Sequence, residues 1–436
     1  MVWMSGCRRW TLRSSVRRQR AKDNSGCFEG ASAMTQPEPN QKRVSRLRWV
    51  WRGIGLVVVA GLVLFVVPGI RHSRAIQQLK SNPKITIESE PNWVLGQLPY
   101  ACQNWVQGNV SQEVWNSLQR PFEINCSQQA LSDSDLAAIG RMTNLKFIDL
   151  SDATFSEKGF SQLAGLHKLR ALVLNGSSIN DAGLSHLEGF AELETLVLGN
   201  TAISDRGLQH LQNLRRLEFL DLHETAISDA GLINLKRLDN LQRITLFRTQ
   251  VSDQGLIHLA GLKQLSGLYL TGTQVTDAGL AHLRELTNLY ELGLNETRIT
   301  DAGLRHLAGL KALRILDLNQ TQISDAGLQE LEELTKLEFL FLGGTQAGNA
   351  GLEIISKLPQ LQILVMSETP VTDDDLVQLE TLKNLTRLNL NQTGITDAGL
   401  VHLEGLTRLS SLYTENTRVT SAGLARLRKK LPKLTD

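Results

Sequence analysis

The chain has 436 residues, a length that accommodates two or three globular domains, and a formal net charge of +2. Its charge is unevenly distributed, because residues 1–52 contain 12 Lys and Arg against 3 Asp and Glu, whereas the remainder contains 34 against 41. An acidic remainder argues against nucleic acid as its partner. None of the four cysteines is spaced as C-x-x-C, so neither a structural zinc site nor a thioredoxin-like motif is supported.

The N-terminal region is basic and has no hydrophobic periodicity, and the sequence predicts a disordered tail over residues 1–48. Met34 is a second plausible start, in which case residues 1–33 would be an over-extended start assignment. Peptides from before Met34 in the purified protein would exclude that alternative.

An uncharged stretch of 18 residues, from Gly53 to Ile70, follows the tail. As a helix it would be about 27 Å long, close to the ~30 Å apolar thickness of a bilayer. Trp49 and Trp51, with arginines beside them, are typical of a membrane interface, so the sequence predicts a transmembrane signal anchor over residues 49–72. The alternative is a cleaved signal peptide, but the stretch is long for one and no clear A-x-A site follows. Positive charge is denser before the span, which predicts a cytoplasmic N-terminus and an extracytoplasmic C-terminal region.

Residues 73–121 are interpreted as a connector, in which Ile85 to Glu88 has strand character. Residues 122–144 are interpreted as a degenerate repeat that covers the N-terminal end of the following array. Cys102 and Cys126 lie on the predicted outer side, where oxidation is permitted, and a disulfide between them would attach the connector to the array. The sequence leaves that pairing open, because its geometry depends on the fold.

The rest of the chain is dominated by twelve consecutive blocks of 24 residues over residues 145–432, leaving residues 433–436 as the C-terminal end. One block, Leu289 to Ala312, reads LYELGLNETRITDAGLRHLAGLKA. A period of 20–29 residues with this leucine spacing is typical of a leucine-rich repeat solenoid. We therefore expect an α/β fold: a right-handed βα horseshoe with a parallel inner sheet and outer helices, preceded by one transmembrane helix.

Each position of the repeat has an expected role. Leucines at positions 1, 4 and 6 predict a strand, and the second half of each block predicts the crossover helix that parallel strands require. Ser or Thr at position 12 and Asp at position 13 are expected to cap that helix, and Gly at position 15 to allow helix and sheet to approach closely. Thr at position 9, from Thr201 to Thr417, is expected to bond buried backbone groups between neighbouring turns. Blocks nine and ten depart from the pattern at Gly348, Asn349 and Asp375, which we attribute to drift rather than to binding.

These blocks resemble the TDAGL-type repeats of the ribonuclease-inhibitor-like superfamily. The layout of one span, a connector and a repeat array resembles bacterial membrane-anchored leucine-rich-repeat proteins. The resemblance covers residues 122–436 and, more loosely, residues 49–121. It implies recognition of a protein or another ligand.

Six histidines recur at position 18 of their blocks: His186, His210, His258, His282, His306 and His402. A metal-binding row is one interpretation, but a tolerated polar position on the helical flank is favoured, because Asn, Glu and Gln fill it elsewhere. The sequence contains no Walker-type loop, H-E-x-x-H or G-x-S-x-G motif, so we expect no enzyme activity, no metal and no cofactor.

The positions that the repeat does not dictate are 2, 3, 5, 7 and 8, which should face the concave side of the array or its rim. Aromatic residues are concentrated there among mixed charges, as on protein-recognition surfaces. The predicted partner-binding residues are Phe147, Phe219, Asp221, Phe247, Tyr269, Tyr290, Phe339, Phe341 and Tyr413. We expect a non-enzymatic, membrane-anchored protein that binds a protein or cell-envelope polymer. The alternative is a structural envelope spacer without a specific ligand.

Overall fold

A computed structural model of the chain describes residues 75–80, 82–90 and 120–435. These residues all belong to one compact unit that spans Val63–Asp436. The predicted tail over residues 1–48, the predicted membrane span over residues 49–72 and Cys102 lie outside the described residues. Within those residues, every helix is too short or too polar to cross a membrane.

A single sheet of fourteen strands forms one side of the molecule, and its strands lie side by side in chain order. The first two strands pair antiparallel, and every later pair is parallel. The strands are β1 Thr86–Glu90, β2 Arg120–Asn125, β3 Phe147–Asp149, β4 Ala171–Val173, β5 Thr195–Val197, β6 Phe219–Asp221, β7 Arg243–Thr245, β8 Gly267–Tyr269, β9 Glu291–Gly293, β10 Ile315–Asp317, β11 Phe339–Phe341, β12 Ile363–Val365, β13 Arg387–Asn389 and β14 Ser411–Tyr413. The predicted strand at residues 85–88 is therefore present as β1, and it covers the edge of β2 that would otherwise be open.

Short helices return the chain from each strand to the next. The α-helices are Asp133–Gly140, Glu157–Phe160, Asp181–Leu184, Asp205–Leu208, Asp229–Leu232, Asp253–Leu256, Asp277–Leu280, Asp301–Leu304, Asp325–Leu328, Asn349–Ile355 and Ser421–Lys430. The 3₁₀ helices are Ser161–Leu163, Ser185–Leu187, Gln209–Leu211, Ile233–Leu235, Ala281–Leu283, Gln329–Leu331, Asp373–Thr381 and Gly399–Leu403. Residues 75–80 are also helical. Most crossovers are thus a single helical turn, which is shorter than the repeat pattern suggests.

The core is one continuous column of leucines between the sheet and the helices. In the seventh repeat, Leu289, Leu294 and Leu304 are inaccessible to solvent. Parallel strands pair residues that are 24 positions apart, such as Leu292 and Leu316, so equivalent leucines stack on one another. The predicted parallel sheet with helical crossovers is confirmed, and hydrophobic burial along this column is its main stabilising term.

Aspartates at position 13 accept hydrogen bonds from the next repeat. The sequence did not predict these contacts. Asp277 Oδ1 accepts a hydrogen bond from the Thr300 N–H at 2.8 Å, and Oδ2 accepts one from the Thr300 hydroxyl at 2.6 Å. The expected cap is also present, because the Thr300 hydroxyl accepts from the Ala302 N–H at 3.3 Å. The same pair of bonds recurs between Asp181 and Ser204, Asp205 and Ser228, Asp229 and Ser252, Asp253 and Thr276, Asp301 and Ser324, Asp373 and Thr396, and Asp397 and Thr420. We call this row the aspartate ladder.

The ladder also explains the glycine at position 15. A β-carbon on Gly303 would overlap the carboxylate of Asp277 in the preceding repeat. The expected reason for this glycine, a close approach of helix and sheet, is therefore wrong. The close approach is to the aspartate of the preceding repeat.

Position 9 threonines have a local role rather than the expected role between turns. The Thr249 hydroxyl donates to the Leu246 carbonyl of its own repeat at 2.6 Å. All ten position 9 threonines make the equivalent bond at 2.5–2.7 Å. This bond satisfies a carbonyl at the end of the strand, where the chain turns through a left-handed residue at position 8 with φ between 52° and 68°.

The ladder is interrupted between repeats nine and ten, where Asn349 stands at position 13. Thr372, the cap residue of repeat ten, bonds instead to Asp375 in its own repeat, with its N–H 2.8 Å and its hydroxyl 3.0 Å from Oδ2. Asp375 occupies position 15, the space that glycine leaves for the preceding aspartate elsewhere. Ser132 and Asp135 use the same arrangement at the start of the array. The departure in blocks nine and ten is therefore a compensated exchange of acceptors. Its attribution to drift rather than to binding stays a prediction.

Candidate recognition face

None of the described helices covers one face of the sheet, and we call it the open face. It consists of side chains at positions 2, 3, 5 and 7 of the repeats, with position 8 at its rim. Successive residues of a strand point to opposite sides, so Phe219 and Asp221 lie on this face while Leu220 between them is inaccessible to solvent. This is the face that the sequence analysis expects to be concave.

The predicted partner-binding residues are distributed along the open face. Phe147, Phe219, Phe339 and Phe341 are half-buried, whereas Tyr290 and Tyr413 are 36% and 41% exposed. Phe339 and Phe341 lie two residues apart on β11, so both side chains are on the open face. Phe147 and Tyr413 lie on β3 and β14, near opposite ends of the sheet, and belong to no common cluster.

Phe247 is a correction to that set, because it is buried rather than open, with 8% exposure. Its ring stacks on the imidazole of His223, with centroids 4.6 Å apart and an angle of 8° between the planes. His223 Nδ1 in turn lies 2.7 Å from Asp221 Oδ1. The His223 ring occupies the space above Gly199, where a β-carbon would overlap it. Asp221, His223 and Phe247 thus form a closed stack across adjacent repeats.

A second cluster surrounds Glu291, which is 8% exposed. Arg243 Nη2 lies 3.0 Å from its Oε1, and the Tyr269 hydroxyl donates to its other oxygen. Burial raises the pKa of Glu291, although Arg243 acts in the opposite direction. Arg243 reaches Glu291 from two strands away across Gly267, which lies between them and whose β-carbon would stand 3.0 Å from Arg243 Cγ.

Asp317 on β10 is a second acidic residue of this region whose pKa is raised. Burial raises the pKa of its carboxyl from 3.8 to about 6, despite a hydrogen bond from the Asn319 N–H at 3.0 Å. The nearby arginines are engaged elsewhere, since Arg243 pairs with Glu291 and Arg314 with Glu338. Among the described residues, no Lys or Arg pairs with Asp317.

Arg314 illustrates how this face holds a cation. Its guanidinium lies over the Tyr290 ring at 5.4 Å from the centroid and pairs with Glu338 of the next repeat. An aromatic ring and a carboxylate together therefore bind an arginine on the open face.

The sequence placed Arg243, Glu291 and Asp317 on this face without distinguishing them from its other charges. The available signal was a pair of glycines at strand positions, Gly267 and Gly293. Glycine weakens a strand, so its presence there marks a place where a neighbouring side chain crosses.

Three of the six position 18 histidines bond to a side chain of the preceding repeat. His210 Nδ1 lies 2.6 Å from Glu188 Oε1, and His402 Nδ1 lies 2.7 Å from Glu380 Oε1. Arg284 Nε donates to His306 Nδ1 at 2.9 Å, and burial together with that guanidinium lowers the pKa of His306. In the described part of the chain, no group of three or more His, Cys, Asp and Glu is placed to hold a metal ion.

Cys126 is inaccessible to solvent beneath the first repeat, and its thiol is free in this structure. Burial raises the pKa of that thiol to about 12, which disfavours the reactive thiolate. Its proposed partner Cys102 lies outside the described residues, so a disulfide between the two stays a prediction.

Comparisons with known proteins agree with the repeat architecture. Family models described as leucine-rich repeats match residues 287–346 and residues 381–403. The chain thus contains leucine-rich repeats. No curated protein matches its sequence.

Two solved structures are similar to this fold. An internalin from Listeria monocytogenes is 25% identical, with a TM-score of 0.55, over 71% of this chain and 92% of that one. A leucine-rich-repeat protein from Leptospira interrogans is 21% identical, with a TM-score of 0.52, over 69% of this chain and 79% of that one. The second likeness is evidence of the fold alone.

Proposed function

We propose that the chain is a non-enzymatic, membrane-anchored interaction protein whose open face binds a protein or cell-envelope polymer outside the cytoplasm. The observation that carries this proposal is the half-buried aromatic side chains at open-face positions, with Phe219 on β6 and Phe339 on β11 as its main members. Neither the core nor the repeat requires phenylalanine at these positions. Large aromatic side chains that remain half-buried on an uncovered sheet contribute strongly to binding when a partner covers them.

The repeat architecture supports an interaction role. A solenoid stacks identical units and exposes one extended surface, so it presents a partner with many side chains on a fixed spacing of about 4.8 Å. The similarity to the fold of an internalin supports the repeat architecture on which this proposal rests.

Substituting Phe219, Phe339 and Phe341 together by Ser in the full-length chain tests the proposal. Cross-linking in intact cells followed by identification of the captured proteins or polymers gives the measurement. We expect capture to fall by about tenfold or more, because truncating even one hot-spot aromatic side chain costs about 2 kcal/mol of binding free energy.

A matched control replaces three exposed apolar residues on the opposite, helical side: Ile233, Ile257 and Val401, which are 43%, 45% and 57% exposed. Their substitution by Ser should leave capture unchanged. If the open-face variant is folded and captures the same partners as the wild type, the structural-spacer alternative is favoured over specific recognition.

The membrane anchor is proposed from the uncharged residues 53–70 and from the positive charge that precedes them. Reporter enzymes that are active only in the cytoplasm or only outside it, fused to the C-terminus, test the topology. We expect activity from the extracytoplasmic reporter. Activity of the cytoplasmic reporter would contradict this orientation, and a mature protein lacking residues 1–70 would indicate a cleaved signal peptide instead.

A further inference from the structure

Two rows of residues that cross the middle of the open face have related compositions. At position 3, the register places Arg243 on β7, Gly267 on β8 and Glu291 on β9. At position 5, one repeat further along, it places Tyr269 on β8, Gly293 on β9 and Asp317 on β10. Each row ends in a carboxylate, and each has a glycine before that carboxylate.

The two rows differ in what stands before the glycine. In the first row Arg243 extends over Gly267 and pairs with Glu291 at 3.0 Å. In the second row the corresponding residue is Tyr269, whose ring lies against Gly293 and whose hydroxyl donates to Glu291 rather than to Asp317. Within the described residues, Glu291 thus has a cation and a hydroxyl, whereas Asp317 receives only the backbone N–H of Asn319.

A half-buried carboxylate without a cation is unfavourable, because burial removes water and nothing of opposite charge replaces it. The raised pKa of Asp317 reflects that condition. The flanking residues are suited to a cation, since the register puts Asp317 beside Phe341 on one side and next to the Gly293–Tyr269 pair on the other.

The surrounding charge is also complementary to a cation. Positions 2, 3, 5, 7 and 8 of repeats six to ten hold five acidic residues, namely Glu291, Glu296, Asp317, Glu338 and Glu368, and one basic residue, Arg314. Arg314 is already paired with Glu338, and Arg243 of repeat five with Glu291, which leaves the charges of Glu296, Asp317 and Glu368. A partner that covers this part of the face therefore meets net negative charge and aromatic rings together.

We propose that a basic segment of a partner protein docks on repeats six to ten and inserts a Lys or Arg side chain beside Asp317, between Tyr269 and Phe341. The inserted cation pairs with Asp317 in the second row, as Arg243 pairs with Glu291 in the first. Its environment matches the one that Arg314 has between Tyr290 and Glu338. This inference rests on the proposed function and specifies the chemistry of the partner.

The test uses the full-length chain and two fluorescein-labelled peptides of four Gly-Arg repeats, one with arginine and one with uncharged citrulline in its place. We expect the arginine peptide to bind at least about tenfold more tightly than the citrulline peptide. Asp317→Asn should reduce that affinity about tenfold, because it removes the charge at the docking point. The matched control is Asp149→Asn, which makes the same change at the same position in repeat one and should alter the affinity less than about twofold.

A second variant tests the row geometry. Tyr269→Arg places a guanidinium before Gly293, as Arg243 stands before Gly267, and should fill the site from within the chain. We expect it to reduce binding of the arginine peptide about tenfold, whereas Tyr269→Phe should change binding less than about twofold. Circular dichroism confirms that the variants are folded.

The inference is overturned if the arginine peptide fails to bind, if the citrulline peptide binds equally well, or if Asp317→Asn and Asp149→Asn have equal effects. Unchanged binding to the Tyr269→Arg variant would also contradict it. The proposed function is tested separately: if capture in cells is lost on replacing the three phenylalanines but kept in Asp317→Asn, the open face is a recognition surface and only the basic-segment inference fails.

Discussion

Aspartates on the two sides of the sheet are in opposite situations. Asp277 on the helical side accepts two hydrogen bonds from Thr300 of the next repeat. Asp317 on the open face accepts one bond from Asn319, two residues along its own chain, and has a raised pKa. The first carboxylate bonds to the neighbouring repeat of the scaffold, whereas the second has no ionic partner among the residues that the structure describes.

This difference separates structural residues from candidate functional ones. The ladder recurs because each repeat provides the same acceptor and the next repeat provides the same donors. Asp317 belongs to no such row, since the equivalent residues on either side are Gly293 and Phe341. A charged side chain that has no ion-pair partner within the fold is a candidate for binding a ligand of opposite charge.

The largest effect is expected where the ladder is sterically tight. Gly303→Ala places a β-carbon against Asp277, so that carboxylate must move away from Thr300. We expect a loss of about 2–3 kcal/mol in the free energy of unfolding, measured by urea denaturation. Gly309→Ala in the same repeat is the control, because no atom lies within 4 Å of its new β-carbon. If the two substitutions lower the free energy of unfolding equally, the aspartate ladder is not the reason that position 15 is glycine.

Removing the ladder carboxylate should have a somewhat smaller effect. Asp277→Ala leaves the part-buried N–H and hydroxyl of Thr300 without their acceptor. The expected loss is about 2 kcal/mol, and faster amide hydrogen exchange at Thr300 should accompany it. Unchanged exchange at Thr300 would show that water replaces the carboxylate without cost.

The junction between repeats nine and ten allows the two acceptor arrangements to be exchanged. Asp375→Gly should destabilise the chain by about 1–2 kcal/mol, because Thr372 loses its acceptor. Asn349→Asp should also destabilise it, since a second carboxylate would compete for the space near Asp375. The double variant recreates a regular ladder junction, so a coupling free energy of about 1–2 kcal/mol should restore most of the loss. If the changes in the free energy of unfolding simply add in the double variant, Asp375 does not compensate for Asn349.

The smallest expected effect concerns Asp317 and depends on pH. Its pKa is raised to about 6, so the folded chain holds a proton between roughly pH 4 and pH 6 that the unfolded chain has released. The contribution of Asp317 to stability is therefore lost as pH rises through that window. We expect Asp317→Asn to be more stable than the wild type by about 1 kcal/mol at pH 7, after allowance for partial exposure to water, and nearly equal to it at pH 4. A difference independent of pH would indicate a cause other than the carboxyl proton.

The sequence predicted the parts of the fold that depend on periodicity. Leucines spaced like Leu289, Leu292 and Leu294 determine the strand, its buried side and its neighbours, because equivalent residues must stack. It did not predict contacts between different positions of adjacent repeats. The bond from Asp277 to Thr300 and the compensation of Asn349 by Asp375 are of that kind.

The sequence predicted which repeat positions lie on the open face, but not which of their side chains contact one another. The burial of Phe247 depends on the orientation of His223 in the preceding repeat, which a repeat pattern does not encode. That the Tyr269 hydroxyl does not reach Asp317 likewise depends on this side chain turning toward Glu291. Side-chain direction on a sheet is determined by packing with neighbours, so these features emerge only in three dimensions.

The contrast between the helical side and the open face is tested most directly by replacing one aspartate on each side with the isosteric asparagine. Asp277→Asn and Asp317→Asn are compared with the wild type by urea denaturation at pH 7. We expect opposite signs: a loss of about 1 kcal/mol at Asp277, where a bonded carboxylate oxygen is replaced, and a gain of about 1 kcal/mol at Asp317, where an unpaired charge is removed. Destabilisation by both substitutions would contradict the assignment of Asp317 as a carboxylate that awaits an external cation.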